Sequence, residues 1–126
     1  MLKSWWKYQT QCDRKEMPME EFYIELYAYK SETRRDYTYA CYSNGCLGFI
    51  DGTDYPVTDD EESYGIVLGK EDSDRMIALI RKDGQSVEEA IREKYSGLNG
   101  YTPVEVFLKE NNIPYRHVDP WLELGW

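Results

Sequence analysis

Histidine is nearly missing from this 126-residue chain, which has only His117, and cysteine is scarce at three residues. A single histidine excludes the H-E-x-x-H zinc-protease pattern, which needs two. Three cysteines, an odd number, do not make a disulfide scaffold and suit a reducing compartment. No apolar run approaches the roughly 18 residues of a membrane helix, so no membrane partner is expected. The glycines, at 45, 48, 52, 65, 69, 84, 97, 100 and 125, match neither G-x-G-x-x-G nor the G-x-x-x-x-G-K-S/T phosphate loop, and the G-x-S-x-G elbow is absent. Nucleotide chemistry and serine hydrolysis therefore lack support. The opening MLKSWWKYQT has no apolar h-region and no small-residue cleavage site, which points to a cytoplasmic protein. With no repeat, low-complexity stretch or linker, residues 1–126 read as a single domain.

Positive charge is also in short supply. Fifteen Lys and Arg face twenty-four Asp and Glu, a net charge of −9. The excess is local: between 51 and 74, nine acids (Asp51, Asp54, Asp59, Asp60, Glu61, Glu62, Glu71, Asp72 and Asp74) stand against Lys70 alone. Direct nucleic-acid binding, which needs clustered cations to displace counterions, is not expected. A basic protein is the natural complement, because opposite surface potentials speed encounter. Acidic runs also serve as solvated faces or as helix starts.

What is present is a pattern of alternation. Phe22, Ile24, Leu26 and Ala28 fall on one side of a strand, with Tyr23, Glu25, Tyr27 and Tyr29 on the other. A polar loop, Lys30 to Arg35, leads to a second strand, Asp36 to Ser43. Asn44-Gly45 then suits the positive φ angles of a two-residue hairpin, and Cys46 to Asp51 returns as a third strand. That turn pairs Ser43 with Cys46, Tyr42 with Leu47 and Ala40 with Phe49. Leu47, Phe49, Ala40 and Tyr42 then share one face; Tyr37, Tyr39, Cys41, Cys46 and Ile50 share the other. Tyr23, Tyr27, Tyr29, Tyr37 and Tyr39 are predicted to gather on the side away from the core.

Helix signals follow. Thr58 with Glu61 forms a capping box predicting a short helix, and Tyr64 to Leu68 is ambiguous between helix and strand. Arg75 to Lys82 leans towards helix. Ser86 with Glu89 starts another that Gly97 ends, and Thr102-Pro103 with Glu105 starts a third that Asn111-Asn112 ends. Ile113 to Val118 reads as a short edge strand. The first twenty residues, with Trp5, Trp6 and Tyr8, read as a short helix or irregular lead-in. The apolar tail from Trp121 to Trp126 is expected to dock on the domain or on a partner, and fits a homodimer contact equally well. The predicted class is α+β, a three- or four-stranded antiparallel meander with helices packed on one face.

Among chemical constellations, Cys12, Cys41, Cys46 and His117 total a zinc-type ligand set, but two of the four stand alone near opposite ends of the chain. Cys41 or Cys46 with His117, oriented by Asp119 or Asn112, gives a nucleophile and base on paper. The tyrosines and acids say more. Tyrosine offers rigid contact area with a polar tip, and carboxylates stand in for phosphates along a basic groove. The leading expectation is a small cofactor-free, non-catalytic inhibitor of a basic protein, a nuclease or another nucleic-acid-binding protein. Its contact residues are expected to be Asp54, Asp59, Asp60, Glu61, Glu62, Glu71, Asp72 and Asp74 with the five tyrosines. In composition such a protein resembles phage-encoded nucleic-acid mimics and acidic immunity proteins that bind nuclease toxins. A small-molecule-binding α+β domain and a Cys-dependent enzyme are the alternatives.

Overall fold

The computed structural model describes residues 20–120. Five antiparallel strands form one sheet in the order of the chain: β1 (Phe22–Lys30), β2 (Arg35–Ser43), β3 (Cys46–Tyr55), β4 (Asp60–Val67) and β5 (Arg116–Val118). Three helices lie between β4 and β5: α1 (Lys70–Ile80), α2 (Val87–Tyr95) and α3 (Thr102–Glu110). The class is α+β, as the alternation implied, with a meander two strands wider than its three most legible strands. Among the described residues no helix is long and apolar enough to cross a membrane.

Asn44 and Gly45 both have positive φ, 55° and 78°, and the register they impose is the one the dipeptide implied: Ser43 opposite Cys46, Tyr42 opposite Leu47, Ala40 opposite Phe49. Phe22, Ile24, Leu26, Ala40, Tyr42, Leu47, Phe49 and Ile66 form the strand side of the core, and buried residues of all three helices join it, among them Met76, Ile91, Val104 and Leu108. We call this the helix-side face and its opposite the far face.

Three predicted elements differ, one of them the edge strand expected over Ile113 to Val118, which covers only Arg116–Val118. The helix expected from Thr58 is instead a turn followed by β4. The amides of Thr58 and Asp59 donate to the Tyr55 carbonyl, Asp59 sits at φ 61°, and β4 pairs with β3 over eight positions. A four-residue capping signal yields to that ladder because a short isolated helix is marginal while each strand pair adds to a cooperative sheet. The same pairing settles Tyr64 to Val67 as strand, with Leu68 just past its end, and carries β3 past Asp51 to Tyr55. The helix leaned towards at Arg75 begins earlier, at Lys70, where Glu71 and Asp72 favour the positive end of the helix dipole. The lead-in before residue 20 and the tail from Trp121, both assigned from sequence, lie outside the described residues.

Helix ends are tied to the sheet. Ser86 and Glu89 make the capping box at α2, and the Glu20 carboxylate accepts the Val87 and Glu88 amides at 2.9 and 2.8 Å. The Ser73 hydroxyl, fully buried in α1, accepts the Leu47 amide at 2.9 Å and lies 3.4 Å from the Leu68 carbonyl. It supplies the ladder partner that Leu47 would otherwise lack. Ser73→Ala leaves that amide unpaired in the core, and the expected loss in urea unfolding is about 1–3 kcal/mol. Asp74→Ala, on the exposed side of the same helix, is expected to stay within about 0.5 kcal/mol of the parent.

Candidate functional site

A bulge in β1 decides which tyrosines share a face. Pairing with β2 shifts between Glu25 and Tyr27, so Leu26 has no partner across the ladder. Its freed carbonyl accepts the amide of Gly97, at 2.6 Å, where α2 ends. Leu26 still points into the core, and from Tyr27 onward the alternation is inverted. Tyr27 pairs with Thr38 and Tyr29 with Asp36, both on the helix-side face. The expectation that five tyrosines share the far face is thus corrected: Tyr23, Tyr37 and Tyr39 lie there, and Tyr27 and Tyr29 do not.

The far-face trio is a stack. Ring centroids of Tyr23 and Tyr39 are 4.8 Å apart, and those of Tyr37 and Tyr39 5.4 Å. Tyr37 is buried, its ring lies against the place a Gly52 side chain would need, and its hydroxyl donates to Glu61 Oε1 at 3.1 Å. The Tyr39 hydroxyl donates to Glu25 Oε2 at 3.3 Å. Burial, reinforced by neighbouring phenol and carboxylate charges, raises the pKa of Tyr23 and Tyr39, so both stay protonated.

Beyond the apolar half of the helix-side face the helices give way, and the sheet presents two polar rows. Tyr27, Thr38, Asp51 and Tyr64 face one another across β1 to β4; Tyr29, Asp36, Thr53 and Glu62 form the next row towards the β3–β4 turn. Tyr55 and Asp60 pair beyond them. The rows are held by the Thr53 hydroxyl donating to Asp36 at 2.9 Å and by Arg34, which pairs with Asp36 at 3.2 Å while its guanidinium lies 5.6 Å from the Tyr29 ring. The loop before α3 closes one rim. The Gly100 amide donates to the Thr38 hydroxyl at 2.9 Å and the Tyr101 amide to Asp51 Oδ2 at 3.0 Å. Asp51 thereby does for α3 what the predicted Thr102 cap does not, since Tyr101 is the N-cap and makes no side-chain cap bond. Burial raises the Asp51 carboxyl above its ordinary range, against the opposing pull of the Tyr101 amide and the Thr38 hydroxyl.

The predicted acidic contacts divide by location. Asp59, Asp60 and Glu62 are exposed at the β3–β4 hairpin end. Asp54 and Glu61 share that end but lie on the far face, Asp54 ion-paired with Arg35 and Glu61 bonded to Tyr37. Glu71, Asp72 and Asp74 belong to α1, which begins beyond the other end of β4, roughly 23 Å away at ~3.3 Å per strand residue. Asp72 is also paired with Arg75 at 3.4 Å. Asp36, Asp51, Thr53, Tyr55 and Tyr64 were missed as site residues, although continuing the Asn44-Gly45 alternation past Asp51 would have placed Asp51, Thr53 and Tyr55 on one side.

No Cys and His pair is assembled among the described residues. Cys41 and Cys46 lie on the far face, whereas His117 pairs with Ile66 on the helix-side face, 3.5 Å from Glu105. Burial pushes the Cys41 thiol up to about 12 and raises Cys46 as well, the opposite of what a nucleophile needs. Among the described residues no group of three metal-ligating side chains comes together, and Cys12 lies outside them.

Comparison with known proteins finds no matching family model, no matching curated protein and no matching solved structure. What the fold and site define is therefore a class: an α+β domain whose meander leaves one end of its helix-side face uncovered, polar and aromatic.

Two measurements check this geometry. In the native chain at about pH 8, iodoacetamide followed by peptide mapping is expected to leave Cys41 unmodified, with modification appearing only in urea. For Asp51, a folded pKa above the unfolded one means the native state holds the extra proton, so this group's contribution to stability falls as pH rises between the two values. Asp51→Asn is expected to gain stability relative to the parent as pH rises above about 4, the ordinary range of an Asp carboxyl; a constant difference would show that the carboxyl is not desolvated.

Proposed function

We propose that this chain is a small acidic binding protein that inhibits a basic, nucleic-acid-handling protein by charge mimicry, with the uncovered hairpin end as its contact surface. One observation carries the reading: Asp59, Asp60 and Glu62 are exposed at that end, no cation pairs with them among the described residues, and Tyr64, 59% exposed, follows Asp60 and Glu62 on the same face of β4, with Tyr29, 43% exposed, in the Glu62 row three strands away on β1. Carboxylates two residues apart on a strand project from the same face about 7 Å apart, a repeating negative edge that a groove of Lys and Arg can follow. Phenol rings beside them offer flat surfaces of the kind on which bases stack. The acids of α1 are a separate negative region at the opposite end and extend the long-range field rather than the contact. A cytoplasmic location and the absence of catalysis belong to the same reading. The thiols bear on one part of it: burial raises both Cys41 and Cys46, which disfavours a cysteine nucleophile.

The test is capture of proteins on the immobilised chain from nucleic-acid-depleted lysate. Basic proteins are expected to be retained at about 50 mM salt and largely released by about 200 mM, and the captured protein is expected to lose single-stranded DNA binding as the chain is added. Replacing Asp59 and Asp60 by Asn and Glu62 by Gln removes three contacts of roughly 0.5 kcal/mol each, about tenfold in affinity together. Capture that ignores both salt and this triple substitution, or a captured protein that keeps its DNA at saturation, would overturn the reading.

A further inference from the structure

The uncovered end encloses a cavity of about 330 Å³, and Arg34 is the one cation among the described residues that line it. Its guanidinium is seated on the protein. Nε lies 3.2 Å from Asp36 Oδ2, and the guanidinium carbon is 5.6 Å from the centroid of the Tyr29 ring, within cation–π reach. The β1–β2 turn fixes the backbone from which this side chain departs: the Ser31 amide donates to the Arg34 carbonyl at 2.8 Å, and the Arg34 amide donates to the Ser31 hydroxyl at 3.1 Å. Asp36 is thereby engaged on both oxygens, since the Thr53 hydroxyl donates to Oδ1 at 2.9 Å. Its side chain is 19% exposed, whereas that of Arg34, which covers it, is 51% exposed.

An exposed ion pair of this kind adds little to stability, so its consequence lies in what Asp36 is left able to bind. Asp36 belongs to the cross-strand row that ends at Glu62, two strand spacings away, roughly 10 Å at ~4.8 Å each. Asp60 stands two residues from Glu62 on the same face of β4. Without Arg34 the end would present a third carboxylate, across the sheet from the two on β4. With Arg34 in place, an incoming Lys or Arg meets a like charge already seated on that carboxylate and on the Tyr29 ring, and must displace it. We propose that Arg34 is an internal competitor for the cationic ligand of this surface: it holds the Asp36 position, confines contact to the acids of the β3–β4 hairpin end, and so sets which spacing of positive charges the chain accepts. The kind of ligand rests on the function proposed above; the ion pair that keeps it off Asp36 does not.

The experiment titrates the full chain with a tetra-arginine peptide at about 50 mM salt, followed by NMR of the tyrosine rings. Arg34→Gln and Arg35→Gln each remove one positive charge from the same end of the molecule. Arg35 is the control, because its partner, Asp54, lies on the far face. Arg34→Gln is expected to bind tetra-arginine about threefold more tightly than the parent, with an unchanged thermal unfolding curve, and Arg35→Gln is expected to gain less. An equal gain for Arg35→Gln would show a general effect of net charge and overturn the proposal. So would Arg34→Gln binding no more tightly than the parent, or failing to bind the peptide. Capture from lysate separates the two claims. Salt-dependent capture that the Asp59, Asp60 and Glu62 substitutions weaken, with Arg34→Gln no better than the parent, leaves the charge-mimic reading standing and removes the competitor. The gain for tetra-arginine together with salt-indifferent capture removes the charge-mimic reading and leaves the competitor.

Discussion

Strand register is the constraint on which every other feature of this molecule depends. Asn44 and Gly45 reverse the chain in two residues, and because side chains alternate with a period of two, that reversal assigns all nine pairs of β2 and β3 to one face or the other. Leu47 and Phe49 are fully buried beneath the helices for this reason. So are the positions of Asp51, Thr53 and Tyr55, which continue the same side of β3 out past the helices. A slip of one residue would bury Asp51 and Thr53's neighbours instead and turn the core residues outward.

The bulge at Leu26 is the second decision, and it is coupled to the first through α2. One unpaired residue keeps Leu26 in the core, frees its carbonyl for Gly97 and turns Tyr27 and Tyr29 to the helix side. A regular strand would have kept those tyrosines with Tyr23, leaving the uncovered end without the ring that lies against Arg34. The structure thus exchanges one ladder position for a tie between the sheet edge and the end of a helix, a common use of bulges.

Electrostatics then follows packing. At the hairpin end, Arg34 and Arg35 engage Asp36 and Asp54, while Tyr37 engages Glu61. Such exposed pairs contribute little stability each, but they determine which carboxylates are already occupied. Asp59, Asp60 and Glu62 are the ones left facing solvent, and Asp51 is the one drawn inward to hold α3. Negative charge that forms one block along the chain is therefore divided in space between a contact end, a structural tie and a distant helix.

The α+β class, the first three strands, the hairpin register and the α2 capping box were legible in the residues, because each depends on a period or a turn spanning a few positions. Thr58 and Glu61 misled for the same reason: a local helix signal was read without the β3 partner that overrides it. Which tyrosines share a face was not legible, since the bulge that inverts β1 is stabilised by Gly97, some seventy residues along the chain. Nor was the role of Asp51, which depends on a loop amide contributed by Tyr101. Sequence by itself settled what short-range geometry controls, namely alternation, turns and caps. The cavity, the division of the acids and the burial of one carboxylate were decided only by tertiary structure, because each is a contact between segments whose separation along the chain carries no local signal.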